Sequence, residues 1–185
     1  MTGKVQPVSE PNAGHQIVVM GVSGSGKSTI GALIADALGV NFVDGDSLHP
    51  MDNVAKMAAG EPLTDTDRWP WLATVGQELD AAGSTGLVVA CSALKRSYRT
   101  AILADAPAAV FVHLDGSRQV LSSRMEGRSD HFMPPALLES QLATLQRLQP
   151  AEPGFTTDID RPVADIVDAA LAQLAGQAAP ATPPS

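Results

Sequence analysis

HQIVVMGVSGSGKSTIGALIADAL, residues 15–38, is the stretch that decides the fold of this chain. Residues 16–20 form a short apolar run rich in β-branched side chains, which is typical of a strand buried on both faces. From Ile30 onward the apolar residues recur with the spacing of one helix face. The stretch therefore predicts a strand, a glycine-rich loop and a helix in direct succession.

The loop between this strand and helix matches the phosphate-loop pattern G-x-x-x-x-G-K-[ST] at every fixed position. Glycines let successive backbone N–H groups turn toward one anion, and the helix that follows directs its positive end at the same place. Lys27 would reach the β and γ oxygens as a catalytic cation, and the Ser28 hydroxyl would ligate Mg²⁺. The alternative is a glycine-rich turn without a ligand. The pattern predicts an ATP-binding loop made of Gly21, Val22, Ser23, Gly24, Ser25, Gly26, Lys27, Ser28 and Thr29.

Length and composition favour one soluble enzyme domain. The chain has 185 residues, of which 44% are hydrophobic, enough for a single α/β core. A formal net charge of −8 argues against a nucleic-acid-binding surface. The single cysteine, Cys91, excludes an internal disulfide and fits a reducing compartment. No membrane-length apolar run or signal-peptide core is evident, so we expect a cytoplasmic protein.

Apolar runs that alternate with helical patterns predict a three-layer α/β/α domain with a mainly parallel sheet. We expect residues 15–175 to form this single domain, residues 1–14 to be a flexible leader and residues 176–185 to be a flexible tail. In such a sheet, ligands bind beyond the carboxyl ends of the strands. Four predicted strands and a shorter fifth one are Gln16–Met20, Asn41–Val43, Leu87–Cys91, Ala109–Leu114 and Phe155–Asp158.

Two carboxylates, Asp44 and Asp46, follow the second predicted strand near the position expected for the transferred phosphate. One could help to hold Mg²⁺ with its water shell, and the other could accept a proton from an attacking hydroxyl. Alternatively, both could belong to an Asp-Gly turn that caps the next helix. No Asp ends the third strand, where many phosphate-loop enzymes have their Mg²⁺-linked carboxylate, so that duty would pass to Asp44.

Several motifs beyond the phosphate loop resemble those of the gluconokinase family. The resemblance implies ATP-dependent phosphorylation of D-gluconate to 6-phosphogluconate, Mg²⁺ dependence, a homodimer and a fold like that of adenylate and shikimate kinases. By similarity to shikimate kinase-like enzymes, Asp44 would face Mg²⁺ and Asp46 would be the catalytic base for the acceptor. The motifs are DGDSLHP (44–50), NVAKM (53–57), GEPLTDTDRWPWL (60–72), CSALKRSYR (91–99), HF (131–132) and LESQLATL (138–145).

The acceptor should bind in the insertion at residues 45–83, which is rich in polar residues and turns. Gluconate carries one carboxylate and a row of hydroxyls, so its site needs a cation and several hydrogen-bonding groups. Arg68 is the best carboxylate clamp by residue type, although Asp65, Asp67 and Arg68 could simply begin a helix. The other substrate-binding candidates are Asp46, His49, Lys56, Ser92, Lys95, Arg99 and His131.

Arg124 and Arg128 lie in a segment, about 124–135, that resembles the lid of nucleoside monophosphate kinases. Lid arginines close over the transferring phosphate, where negative charge spreads over the γ oxygens, so both are candidate catalytic and ATP-binding residues. A surface loop with solvated arginines is the alternative. Pro162 precedes the last predicted helix, where related kinases line the adenine.

Three functions remain open from the sequence alone. The first is a gluconate kinase, and the second is a kinase of another small acceptor, such as shikimate or a nucleoside monophosphate. The third is a non-enzymatic ATP-binding switch. Asp46 and the lid favour catalysis, and the chain has no [NT]-K-x-D guanine-reading motif, which favours ATP over GTP.

Overall fold

The structure, a computed structural model, describes residues 14–126 and 135–177. Within these ranges, five parallel strands form one sheet in the order β2-β3-β1-β4-β5. The phosphate-loop strand is central, with one neighbour on each side before the edge strands. The strands are β1 (Gln16–Met20), β2 (Asn41–Asp44), β3 (Leu87–Ala90), β4 (Val110–Asp115) and β5 (Gly154–Asp158).

Seven helices and two short 3₁₀ turns, Gly45–Leu48 and Gly83–Thr85, connect the strands in the described ranges. The first helix ends at a glycine with a left-handed φ of 66°, whose N–H reaches the carbonyls of Ala35 and Asp36. The helices are α1 (Lys27–Leu38), α2 (Met51–Ala58), α3 (Asp65–Ala82), α4 (Arg96–Asp105), α5 (Arg118–Glu126), α6 (Pro135–Thr144) and α7 (Val163–Gln177).

Both faces of the sheet are covered, which explains the unbroken apolar run of β1. Alternate side chains of a strand point to opposite faces. Ile17 and Val19 therefore belong to a core with residues of α1 and α7, whereas Val18 and Met20 belong to a core with residues of α3 and α4. The predicted three-layer α/β/α fold with a five-stranded parallel sheet is confirmed.

Predicted and observed strand boundaries differ by at most one residue, as expected where hydrogen-bond pairing decides the ends of strands. Asp44 joins β2 because it pairs with Ala90, and Asp115 joins β4 opposite Asp158. The insertion 45–83 is mainly helical rather than turn-rich, and α3 packs Leu72, Val75 and Leu79 into the core. Most of the predicted leader and tail lies outside the described residues. Across residues 14–126 and 135–177, no helix has both the length and the apolarity needed to cross a bilayer.

Candidate active site

The phosphate loop joins β1 to α1 at the carboxyl edge of the sheet. A Cβ at Gly24, whose φ is 81°, would lie 2.8 Å from Met125 Cγ and 2.9 Å from the Leu121 carbonyl oxygen, so only glycine fits there. Lys27 folds back over the loop, and its Nζ donates to the Val22 carbonyl at 3.1 Å. The loop, the start of α1 and this ammonium therefore lie together, as the predicted anion site requires.

Ser28 and Asp44 meet beside the phosphate loop. The Ser28 hydroxyl donates to Asp44 Oδ2 at 2.8 Å, and Asp44 Oδ1 accepts from the Asp46 backbone N–H at 3.1 Å. Asp44 therefore also caps the 3₁₀ turn, which is the part of the capping alternative that concerns this residue. A hydroxyl and a carboxylate are hard oxygen donors of the kind that Mg²⁺ accepts.

A cavity of about 310 Å³ opens above the phosphate loop. Residues from the ends of β2 and β3, from α5 and from α6 complete its walls. Its lining residues are Ser23, Gly24, Gly26, Lys27, Ser28, Asp44, Asp46, Ala90, Ser92, Met125 and Gln141.

Arg124, on α5, connects the phosphate loop to the segment that follows β5. Its Nη1 donates to the Ser25 carbonyl at 3.4 Å, and its Nη2 donates to the Ile159 and Arg161 carbonyls at 2.6 and 3.5 Å. Pro162 directly follows Arg161 and is exposed. Arg124 therefore lies where an ATP-binding cation is expected. Arg128 and His131 lie outside the described residues.

A second, larger cavity of about 1060 Å³ lies between the 45–63 segment, α3, the start of α4 and α6. It shares Asp46, Ser92 and Gln141 with the first cavity, so the two spaces meet at these three side chains. Besides these, it is lined by His49, Met57, Gly60, Glu61, Pro62, Leu63, Arg68, Trp71, Leu94, Lys95, Tyr98, Leu137, Ser140 and Thr144.

One wall of this larger cavity carries two cations held by a single carboxylate. Lys95 Nζ lies 2.8 Å from Asp65 Oδ2, and Arg68 Nη1 lies 3.7 Å from Asp65 Oδ1 and donates to the Tyr98 hydroxyl at 3.3 Å. The hydrogen bond from Lys95 lowers the pKa of Asp65, and the same bond raises the pKa of Lys95. Lys95 is therefore held in its charged form, and a single carboxylate faces the two cationic side chains of this wall.

His49 also lines this cavity and is stacked on Trp71, with ring centroids 4.1 Å apart. Burial lowers the pKa of His49, so the ring is neutral at neutral pH and can accept or donate a hydrogen bond. Trp71 donates from Nε1 to the Gly45 carbonyl at 2.7 Å. The indole of Trp71 therefore supports the turn that carries Asp46.

The structure corrects the assignment of Arg99 as an acceptor ligand. Its side chain is fully buried and faces Glu152, with Nε 2.6 Å from Oε1 and Nη2 2.9 Å from Oε2. Lys56 lines neither cavity, and its Nζ lies 2.7 Å from Asp67 Oδ1. That contact lowers the pKa of Asp67 to about 2, and Asp67 in turn forms a capping box with Thr64 at the start of α3. The aspartates thus form the helix start that was the alternative.

Sequence reasoning missed two polar residues of the site, Tyr98 and Gln141. Tyr98 lies on the buried face of α4 and supports both cavity cations. Gln141 Oε1 accepts from the Ser23 backbone N–H at 2.6 Å across 118 residues of sequence. Gln141 occurs in one of the family-like motifs, but nothing in its local sequence indicates a contact with the phosphate loop.

Comparisons with known proteins bear on the family and the fold of this chain. The shikimate kinase family model matches residues 23–170. A gluconokinase of Gluconobacter oxydans is 51% identical over 132 residues, which cover 70% of this chain and 74% of that protein. The thermosensitive gluconokinase of Escherichia coli is 42% identical over 160 residues, covering 84% of this chain and 85% of that protein. The crystal structure of a gluconokinase from Sinorhizobium meliloti aligns with a TM-score of 0.82 at 50% identity, covering 91% of this chain and 95% of the other.

Proposed function

This chain belongs to the gluconokinase family, and from that premise we propose that it transfers the γ-phosphoryl group of ATP to D-gluconate, forming ADP and 6-phospho-D-gluconate. The observation that carries the proposal is the meeting of two cavities. One is built around a phosphate loop, the other has a cationic wall, and Asp46, Ser92 and Gln141 line both. A kinase needs such a junction, because the two reacting oxygens must lie roughly in line on either side of phosphorus.

The ATP phosphates would bind in the smaller cavity. The loop amides and Lys27 would cradle them, and Arg124 would add positive charge from α5 once it exchanges a carbonyl contact for a phosphate oxygen. The oxygens of Ser28 and Asp44 fit Mg²⁺, which would neutralise charge on the β and γ oxygens when bound. The adenine would then lie toward Pro162 and the segment after β5.

Gluconate would bind in the larger cavity with its carboxylate at Arg68 and Lys95. The chain has a net charge of −8, so an anionic acceptor needs local positive charge in order to bind. These two cations would supply that charge. His49, Ser92 and Tyr98 supply groups that can hydrogen-bond to hydroxyls. His131 stays a proposed acceptor contact and Arg128 a proposed lid cation, both on the family resemblance, while Lys56 would act only through Asp67.

Asp46 would orient the attacking hydroxyl of gluconate and accept its proton. It lines both cavities, and its turn is fixed on one side by the Asp44 cap and on the other by the Trp71 indole. A carboxylate so positioned gives the acceptor hydroxyl one preferred orientation, which is a large part of what a phosphoryl-transfer enzyme supplies.

One assay tests this proposal against its alternatives. ADP release is coupled to a spectrophotometric readout and measured with gluconate, shikimate, AMP or no acceptor. We expect ADP release that depends on gluconate. Faster ADP release with shikimate or AMP would mean that the protein is a kinase of another acceptor. Nucleotide binding without acceptor-dependent ADP release would support an ATP-binding switch.

We also propose that the protein acts as a homodimer in the cytoplasm. The proposal of a dimer rests on the family resemblance. A reducing compartment is supported by Cys91, the single cysteine, which is buried. Burial raises the pKa of its thiol to about 12. Light scattering coupled to size exclusion would measure the mass, and a monomer at micromolar concentration would contradict the dimer.

A further inference from the structure

Gln141 connects the two halves of the candidate site by a single side chain. It lies on α6, and its side-chain carbonyl accepts from the Ser23 N–H of the phosphate loop at 2.6 Å. Because a backbone N–H can only donate, this contact fixes which end of the amide faces the loop. The Nε2 end, with its two N–H donors, is therefore turned away from Ser23.

The Nε2 group has room and position for a ligand. No residue in the described ranges 14–126 and 135–177 accepts a hydrogen bond from it. Gln141 also lines both cavities, together with Asp46 and Ser92. Its amide thus stands at the junction through which a group must pass from the nucleotide to the acceptor.

The chemistry of phosphoryl transfer gives a donor at this place a function. Negative charge spreads over the equatorial oxygens of the transferring group, and preoriented N–H donors stabilise it most when they need not rearrange. The Ser23 N–H polarises the Gln141 amide through Oε1, which makes the Nε2 protons stronger donors. A neutral amide also adds no charge that would hold the product phosphate.

We propose that Gln141 donates a hydrogen bond from Nε2 to the transferring phosphoryl group, while Ser23 holds its Oε1. The inference rests on the proposed function only in requiring phosphoryl transfer at this junction. It differs from a purely structural role, in which Gln141 would serve only to attach α6 to the phosphate loop. The two roles use opposite ends of the same amide, so substitutions can separate them.

Gln141→Glu and Gln141→Met make this separation. Glutamate keeps an oxygen for the Ser23 N–H but replaces the donor by a negative oxygen facing phosphate. Methionine has similar length and removes both ends. The matched control is Gln146→Glu, because Gln146 Oε1 likewise accepts from a backbone N–H, that of Arg96 at 2.7 Å, but lines neither cavity.

We expect kcat to fall about 10²-fold in Gln141→Met and at least as far in Gln141→Glu. The KM for ATP should change by less than about threefold in both, because the contact is made mainly in the transition state. Gln146→Glu should keep wild-type kcat. Thermal melting checks that each variant is folded, and Gln141→Ala replaces Gln141→Met if the latter is unstable.

Three results would overturn the inference. They are wild-type kcat in Gln141→Glu, wild-type kcat in Gln141→Met, or a larger loss in Gln141→Met than in Gln141→Glu, which is the order expected of a structural contact. The wild-type acceptor panel is run first, so failure of gluconate as acceptor is seen separately. The variants are then measured with whichever acceptor the wild type phosphorylates.

Discussion

Arg99 and Glu152 form a two-pronged ion pair in which the arginine side chain is fully buried and the glutamate side chain is 7% exposed. Nε lies 2.6 Å from Oε1 and Nη2 lies 2.9 Å from Oε2, while Nη1 donates to the Ala93 carbonyl at 3.0 Å. Ala93 has a φ of 43°, a left-handed conformation that costs a non-glycine residue about 1–2 kcal/mol. The pair thus helps to hold the strained loop that presents Ser92 to both cavities.

Removing one member of this pair should destabilise the fold strongly. Arg99→Met leaves the Glu152 carboxylate buried without its cation, so we expect the free energy of unfolding to fall by about 3–5 kcal/mol. Urea unfolding measures the loss. The control is Arg118→Met, which breaks an equally short 2.6 Å pair with Glu139 on the surface and should cost less than about 1 kcal/mol. Similar losses in both variants would contradict the role of burial.

Binding of the gluconate carboxylate should depend on the planar guanidinium group of Arg68, which can donate two parallel hydrogen bonds. Arg68→Lys keeps the charge but loses bidentate geometry, so we expect the KM for gluconate to rise by about one to two orders of magnitude while the KM for ATP stays unchanged. Initial rates at saturating ATP give the first value. Lys56→Met is the control, because Lys56 faces Asp67 and lines neither cavity. A larger effect of Lys56→Met would show that the carboxylate binds elsewhere.

The local parts of this molecule were predictable from sequence, and the long-range parts were not. The phosphate loop, β1 and α1 are adjacent in the chain, so their structure can be inferred from the residue types and spacing of one continuous stretch. Arg99 differs because a basic residue on a helix is usually solvated. Its burial follows only from α4, where Tyr98, Arg99 and Ile102 share the buried face and Glu152 arrives from a distant segment.

Gln141 illustrates the same limit within the candidate site. Its partner Ser23 is 118 residues away, and the contact exists only because α6 crosses the phosphate loop. Periodicity places a residue on a helix face but does not say which loop that face meets. The roles of Asp46, Arg68, Arg124 and the remaining candidates stay predictions. Among the described candidate residues, the geometry favours those that line a cavity or contact the phosphate loop.

Stability should fall on acidification partly through His113. The ring is fully buried in β4, its Nε2 has no partner among the described residues, and burial lowers its pKa. The unfolded chain, with a histidine pKa near about 6.5, binds the proton more readily, so the free energy of unfolding falls below about pH 6.5 by at most about 1.4 kcal/mol per pH unit.

His113→Leu should reduce this dependence. Urea unfolding of wild type and variant between about pH 7.5 and about pH 5.5 gives the two slopes, and their difference isolates His113 from His49, whose pKa is also lowered. Above about pH 7 the buried neutral ring has no proton to lose, so the slopes should converge there. Parallel curves across the whole range would exclude His113 as a source of the acid sensitivity.

Asp44 and Asp46 should fail in different ways when each loses its charge. Asp46 lines both cavities, and Asp46→Asn keeps its shape and much of its hydrogen bonding but removes the base. The rate of gluconate phosphorylation should therefore fall by about 10²–10⁴-fold at any Mg²⁺ concentration. Asp44→Asn keeps an oxygen for the Asp46 N–H but weakens the oxygen pair with Ser28, so its Mg²⁺ requirement should rise. A Mg²⁺ titration of both variants beside wild type separates the two roles. Rescue of Asp46→Asn by excess Mg²⁺, without rescue of Asp44→Asn, would mean that the roles are reversed, with Asp46 toward the metal and Asp44 toward the acceptor.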